Sequence, residues 1–112
     1  MAKKLPLKDK ILDFKLASQK EICAELGRRL KMQRLLKKFK QQDLAVMAGV
    51  SVGTVKNLEA KGQSSIESLV RVTMALDLTQ ELATLFEIKI SSIDQMARIE
   101  KLSMDRIPRR VR

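Results

Sequence analysis

The feature that most constrains the fold is a run in residues 41–59, where a glycine and a serine separate two short apolar segments. Glycine adopts a left-handed backbone at little cost, so Gly49 is expected to end a first helix over residues 41–48. Ser51 is a preferred N-cap residue, and it predicts a second helix that continues to Ala60. The run therefore predicts two helices joined by a tight turn.

The apolar residues of this run indicate which faces of the two helices are buried. Leu44, Val55 and Leu58 are expected to face the core, and the small Ala45 suits a close helix crossing. The residues left facing outward, in the first turns of the second helix, are Val52, Gly53, Lys56 and Asn57. The first turns of an exposed helix of this kind are the part that reaches base edges in the DNA major groove.

The rest of the chain also favours helices. Three Phe, no Tyr or Trp, four Gly and two Pro leave a core of aliphatic residues and little material for a turn-rich β fold. Ser18 and Glu21 form a capping-box pattern ahead of a helix to about residue 37, with Ile22, Leu26 and Leu30 on one face. Phe39 is expected to plug the core. Further helices are predicted over residues 66–76, 78–86 and 93–104.

Two stretches alternate apolar and charged residues in the manner of short strands. One contains Leu12, Phe14 and Leu16, and the other contains Phe86, Ile88 and Ile90. The sequence leaves open whether they pair within one chain or across a dimer. Their matched alternation makes a small β-ribbon between subunits a hypothesis.

The charge of the chain points to a polyanionic partner. The formal net charge is +10 and the isoelectric point about 10.1, with basic residues concentrated in both ends and acidic residues over 63–87. Such a balance is typical of nucleic-acid binding, and the alternative is a charged surface kept for solubility. The uneven distribution favours one face that meets phosphate.

Several classes of function are not expected. One cysteine, Cys23, and no histidine exclude an intrachain disulfide and a Cys/His metal site, and they suit a reducing cytoplasm. We interpret Cys23 as a buried structural thiol. No Gly-rich phosphate loop or nucleophile–base set is present, so we expect neither an enzyme nor a cofactor. No apolar stretch is long enough for a membrane span, and the N-terminus does not resemble a signal peptide.

On these motifs, residues 22–86 resemble the lambda-repressor/Cro-like helix-turn-helix family, often called the XRE family. The resemblance implies an all-α fold with a five-helix DNA-binding domain, to which terminal extensions add the short strands and a C-terminal helix. It places Gln41 at the head of helix 2, where the family's glutamine touches a phosphate and braces the recognition helix. It also pairs Arg34 with Glu59 as a buried ion pair.

The implied DNA contacts fall into two groups. Lys40, Gln41, Thr54 and Lys61 are expected to hold phosphates, which positions a protein without reading sequence. Ser51 caps the recognition helix and is included among the expected contact residues. On the helix itself, Lys56 suits guanine and Asn57 suits adenine. Val52 suits a thymine methyl group, and Gly53 allows the DNA to approach closely. The family often has polar or basic residues in place of Val52 and Gly53. Lys40 stands where the family usually has a Ser or Thr that caps helix 2. Lys38 stands where the family commonly has a glycine in the preceding loop.

The run over residues 59–69 is similar to the HipB-type antitoxins of toxin–antitoxin operons. This resemblance implies a cytoplasmic homodimer that represses its own operon at a palindromic operator in double-stranded DNA and binds a HipA-like kinase toxin. The alternatives are an interaction module that mainly neutralises the toxin and a solitary phage-type repressor. The implied domains are a basic extension over 1–17, the DNA-binding domain over 18–86, and an extension over 87–112 for dimer or partner contacts.

Overall fold

The computed structural model describes the backbone of residues 12–106 and the side chains of residues 12–104. Over this range the fold is all-α, as predicted, but it contains neither of the two short strands that were expected. The six helices are α1 (Gln19–Leu36), α2 (Gln41–Ala48), α3 (Val52–Lys61), α4 (Ile66–Ala75), α5 (Thr79–Ala83) and α6 (Ile93–Arg106). The chain forms two compact units, one up to Leu82 and one from Ala83. Most of the basic N-terminal extension and the terminal arginines Arg109, Arg110 and Arg112 lie outside the described residues.

Helix α1 begins with the predicted capping box. The Ser18 hydroxyl accepts from the Glu21 N–H at 3.1 Å, and the Glu21 carboxylate accepts from the Ser18 N–H at 2.9 Å. The buried residues of α1 are Gly27 and Arg34. The prediction that Leu26 lies on the buried face is wrong, since this side chain is 46% exposed. Helix α1 is instead oriented so that Gly27 faces α3.

The contact between α1 and α3 is made through backbone. A Cβ on Gly27 would overlap the carbonyl oxygen of Leu58 and lie 3.0 Å from the Gly62 nitrogen. Gly62 ends α3 with φ +68°, and a Cβ there would overlap the backbone of Cys23. Cys23 is half-buried rather than buried. The two glycines let α1 and α3 approach more closely than side chains would allow.

The core of the first unit lies among α2, α3 and α4. Leu44, Val55, Val72 and Leu76 are fully buried there, and the remaining buried apolar side chains are Ala45, Ala48 and Leu58. Phe39 packs against this cluster from the loop between α1 and α2, as predicted. The predicted inward face of the run over residues 41–59 is therefore confirmed.

The two strand predictions are wrong for the single chain. The Leu16 and Lys15 N–H groups both donate to Asp13, to its carbonyl and its carboxylate respectively, so residues 14–16 form a turn. Phe86 has a left-handed backbone with φ 58° and ends a turn that follows α5. A strand needs a neighbouring strand to pair with, and residues 87–91 pair with no strand within residues 12–106.

The same turn makes α5 shorter than the helix predicted over 78–86. In the described part of the chain, no helix has both the length and the apolar character that crossing a membrane requires.

Candidate nucleic-acid interface

A short turn fixes α3 relative to α2. Gly49 ends α2 with φ 70° and ψ 35°, a left-handed conformation that glycine adopts without steric cost. The Val50 N–H donates to the Ala45 carbonyl at 3.0 Å, and the Val50 side chain packs against the core. The chain therefore leaves α2 and enters α3 within three residues, with both sides of the turn anchored.

Helix α3 starts at a well-formed cap. The Ser51 hydroxyl oxygen accepts from the Thr54 N–H at 3.0 Å and lies 2.9 Å from the Thr54 hydroxyl. Two of the residues predicted to contact DNA are thus joined to each other. Ser51 is exposed and Thr54 half-buried, so a phosphate that reaches either hydroxyl meets a pair with a fixed orientation.

The outward face of α3 contains the four predicted base-reading residues. Val52, Gly53, Lys56 and Asn57 are exposed, whereas Val55 and Leu58 from the same helix are buried. Val52 is 39% exposed and stands in the first turn of α3. The face has an apolar methyl group, an open backbone position, an ammonium and an amide, a combination suited to base edges.

A buried polar cluster braces the base of α3. The Arg34 Nε donates to the Glu59 carboxylate at 2.6 Å, and the Arg34 NH2 group donates to its other oxygen at 3.0 Å. The Gln41 side-chain amide donates to Glu59 at 2.9 Å, and Arg34 also donates to the Phe39 carbonyl at 2.7 Å. The cluster joins α1, α2, α3 and the first loop. Gln41 is half-buried, so its brace is formed while part of the side chain stays accessible.

The start of α2 carries positive charge. Lys37, Lys38 and Lys40 are exposed there, and Lys38 adopts a left-handed backbone with φ 64° in place of a glycine. The Asp43 carboxylate accepts from the Lys40 N–H at 2.9 Å, which caps α2 in the absence of the usual serine or threonine. The Lys40 ammonium has no salt bridge within residues 12–106, so its charge is available to an anion at this helix N-terminus.

The remaining predicted contact residue, Lys61, lies in the last turn of α3. It is exposed and, over the described range, has no carboxylate partner. Lys56 is in the same state on the outward face. The structure thus places the nine predicted contact residues on α3, on its cap and at the head of α2.

A second charged cluster lies on α1, outside the predicted site. The Glu25 carboxylate accepts from Arg28 at 2.7 and 3.0 Å and from Arg29 at 2.8 Å. The pKa of Glu25 is lowered, first by the Arg28 hydrogen bond against a smaller opposing effect of burial, and further by Arg29. The guanidinium of Arg29 lies 5.1 Å from the Phe14 ring centre, which holds the turn before α1 against the helix.

Sequence reasoning missed three contributors to the interface. Gly27 sets the distance between α1 and α3, Asp43 caps α2, and the Phe39 carbonyl is the third acceptor for Arg34. A glycine inside a helix costs about 1 kcal/mol relative to alanine, so its presence was a readable signal of close packing. An acidic residue three positions after Lys40 was likewise a signal for the cap.

The core, the turn and the braced outward helix together define a known type of domain. Residues 30–79 match the helix-turn-helix family. This helix-turn-helix match starts within α1, ends at the beginning of α5, and contains the Arg34–Glu59 pair and all nine predicted contact residues. No curated protein matches the chain in sequence. The matched model is an XRE-type helix-turn-helix, and the match suggests a DNA-binding regulator of transcription.

Proposed function

We propose that the protein is a sequence-specific transcriptional repressor that binds a palindromic operator in double-stranded DNA as a homodimer. The observation that carries the proposal is the exposed Val52–Asn57 face on a helix held by a capped turn and a buried ion pair. A rigid helix with accessible first turns matches the geometry of major-groove reading. The domain of residues 18–86 would supply this contact, with the extensions over 1–17 and 87–112 on either side.

Base reading in this proposal depends on few side chains. Lys56 and Asn57 supply the polar contacts, to guanine and adenine, while Val52 contacts a thymine methyl and Gly53 permits a close approach. Lys40, Gln41, Ser51, Thr54 and Lys61 contact phosphates and set the register. Two copies would read half-sites about one helical turn, roughly 34 Å, apart. The protein would act on the nucleoid in the cytoplasm.

Fluorescence anisotropy on the DNA upstream of the protein's own gene tests the proposal. The upstream DNA should bind at least ~10³-fold more tightly than a scrambled duplex of equal length at physiological salt. Both affinities should fall steeply with salt, because lysines displace counterions from the phosphates. Equal affinity for the two duplexes would contradict sequence-specific repression and leave only a general DNA-binding protein.

We propose further that the repressed operon is the protein's own and encodes a HipA-like kinase toxin that the protein neutralises. The support is the HipB-like run over residues 59–69, which in the structure forms the end of α3, its Gly62 cap, the Ser65 cap and the start of α4. A kinase gene adjacent to this one, and a complex of the two proteins after co-expression, are the expected results. A solitary gene with a separate operator would instead indicate a phage-type repressor.

A further inference from the structure

The second compact unit contains an exposed segment with an unusual pattern. In this segment, residues 86–90, the side chains of Phe86, Ile88 and Ile90 are 90%, 66% and 51% exposed. The intervening residues are Glu87 and Lys89, both exposed. Large apolar side chains in such a row leave substantial apolar surface in contact with water.

The backbone of the segment is also without partners. The Glu87 N–H donates to the Thr84 carbonyl at 3.3 Å, and the Ser91 N–H donates to the Gln95 side chain. Between these two anchors, the amides of Ile88, Lys89 and Ile90 form no hydrogen bond with any part of residues 12–106. Unpaired peptide groups beside exposed apolar side chains form a template for pairing with another strand.

The charges in the segment identify the strand that fits. The order is apolar, acidic, apolar, basic, apolar, which is symmetric about Ile88 with opposite charges at mirror positions. An antiparallel second copy centred on Ile88 therefore brings Glu87 opposite Lys89 of the second copy, and the reverse. Ile88 meets Ile88, and Ile90 comes level with Phe86. A parallel pairing in register would instead place like charges side by side, which is destabilising.

From this complementarity we propose that two copies of the chain associate through an antiparallel β-ribbon of residues 87–89, with the two-fold axis at Ile88 and Ile90 beside Phe86 of the second copy. The contact is isologous, as a two-fold dimer requires. A two-stranded ribbon is marginal by itself, and the neighbouring exposed Leu85, Ile93 and Met96 provide further apolar surface in the same unit. The inference deepens the proposed repressor, because it names the contact that makes the homodimer.

Charge exchange tests the pairing without DNA. Glu87→Lys and Lys89→Glu each place like charges opposite one another, so each variant alone should dimerise about tenfold more weakly in sedimentation. The double variant restores the opposite pairs and should regain the original dimer constant. A mixture of the two single variants should form the heterodimer in preference to either homodimer. Lys101→Glu in α6 changes the same charge outside the segment and serves as the control.

Cysteine cross-linking tests the register. In a Cys23→Ser background, Ile88→Cys should form an intermolecular disulfide under mild oxidation, because the two positions face each other at the axis. Glu87→Cys alone should not cross-link, since its two copies lie two residues out of register. Mixed with Lys89→Cys, it should form the heterodisulfide.

Two results would overturn the ribbon. One is a dimer that is insensitive to both charge variants and does not cross-link at position 88, and the other is a chain that stays monomeric at all concentrations. Binding of the chain to a single half-site duplex is measured separately. Specific half-site binding with a failed ribbon would leave sequence reading by α3 standing, and loss of specificity with an intact ribbon would reject the repressor alone.

Discussion

Arg34 on α1 and Glu59 on α3 form a two-point ion pair, and only 7% and 3% of their side chains are accessible to solvent. Both carboxylate oxygens and three guanidinium nitrogens are used, because Gln41 and the Phe39 carbonyl complete the cluster. A buried charge with so many partners is held in one orientation. The pair therefore sets the angle at which α3 projects its outward face.

Removing one partner of this pair should strongly destabilise the domain. Arg34→Met leaves the Glu59 carboxylate buried without its counter-charge, and we expect a loss of about 3–5 kcal/mol in the free energy of unfolding, measured by urea titration. Arg29→Met, in the exposed pair with Glu25, should cost less than about 1 kcal/mol. The double variant Arg34→Met, Glu59→Leu should recover part of the loss. Equal small effects at Arg34 and Arg29 would show that the buried pair does not hold the helices.

The two glycines within helices should respond in opposite ways to alanine. Gly27→Ala forces a methyl group against the Leu58 carbonyl, where backbone must move, and should destabilise the protein by about 1–3 kcal/mol. In Gly53→Ala the new Cβ would lie 3.8 Å from the Ser51 hydroxyl oxygen, an ordinary contact, so this change should stabilise by about 0.5–1 kcal/mol through helix propensity. Thermal or urea unfolding of the two variants measures both signs. A neutral Gly27→Ala would contradict the close crossing of α1 and α3.

Substitutions on the outward face should separate base reading from phosphate contact. Asn57→Ala should reduce discrimination at one base pair by about 1–3 kcal/mol, with little effect on binding to scrambled DNA. Lys61→Ala should weaken specific and scrambled binding alike and lower the salt slope by about 1. Lys20→Ala, in the first turn of α1, removes the same charge from a residue outside the nine proposed contacts. Uniform effects of all three in anisotropy titrations would mean that α3 does not read sequence.

The Glu25 cluster should make a small, pH-dependent contribution to α1. The Arg28 hydrogen bond lowers the pKa of Glu25, so the stabilisation is present above the unfolded-state pKa and is lost as the pH falls through the lower folded value. NMR titration of the Glu25 carboxyl should show this lowered pKa. Arg28→Gln should raise it, because the largest cause is removed. An unchanged titration in Arg28→Gln would contradict the assignment of the shift to Arg28.

Much of the fold and of the site could be predicted because local chemistry determines them. Gly49, Ser51 and the Ser18–Glu21 pair each satisfy backbone groups within a few residues, so their roles are visible in the sequence. The Arg34–Glu59 pair was expected from the resemblance to the lambda-repressor/Cro-like family, and the structure contains it. The outward position of Lys56 and Asn57 followed from the inward positions of Val55 and Leu58.

The errors have one physical cause, which is that alternation and periodicity do not specify a partner. Leu26 continues the apolar spacing of α1, but Gly27 brings α3 to the adjacent face and leaves Leu26 largely exposed. Leu12, Phe14 and Leu16 alternate as a strand would, yet the Asp13 carboxylate and carbonyl close a turn over them. Tertiary contacts of this kind are absent from any local pattern.

The most direct measurement of the central proposal is the contact between α3 and DNA bases. In an NMR study of the complex with the upstream duplex, the Val52 methyl groups should show intermolecular contacts to thymine methyl protons. The Lys56 and Asn57 amides should shift most among exposed residues. Shifts confined to α1, α4 or α6, with Val52 unaffected by DNA, would contradict the proposal that this helix reads the operator.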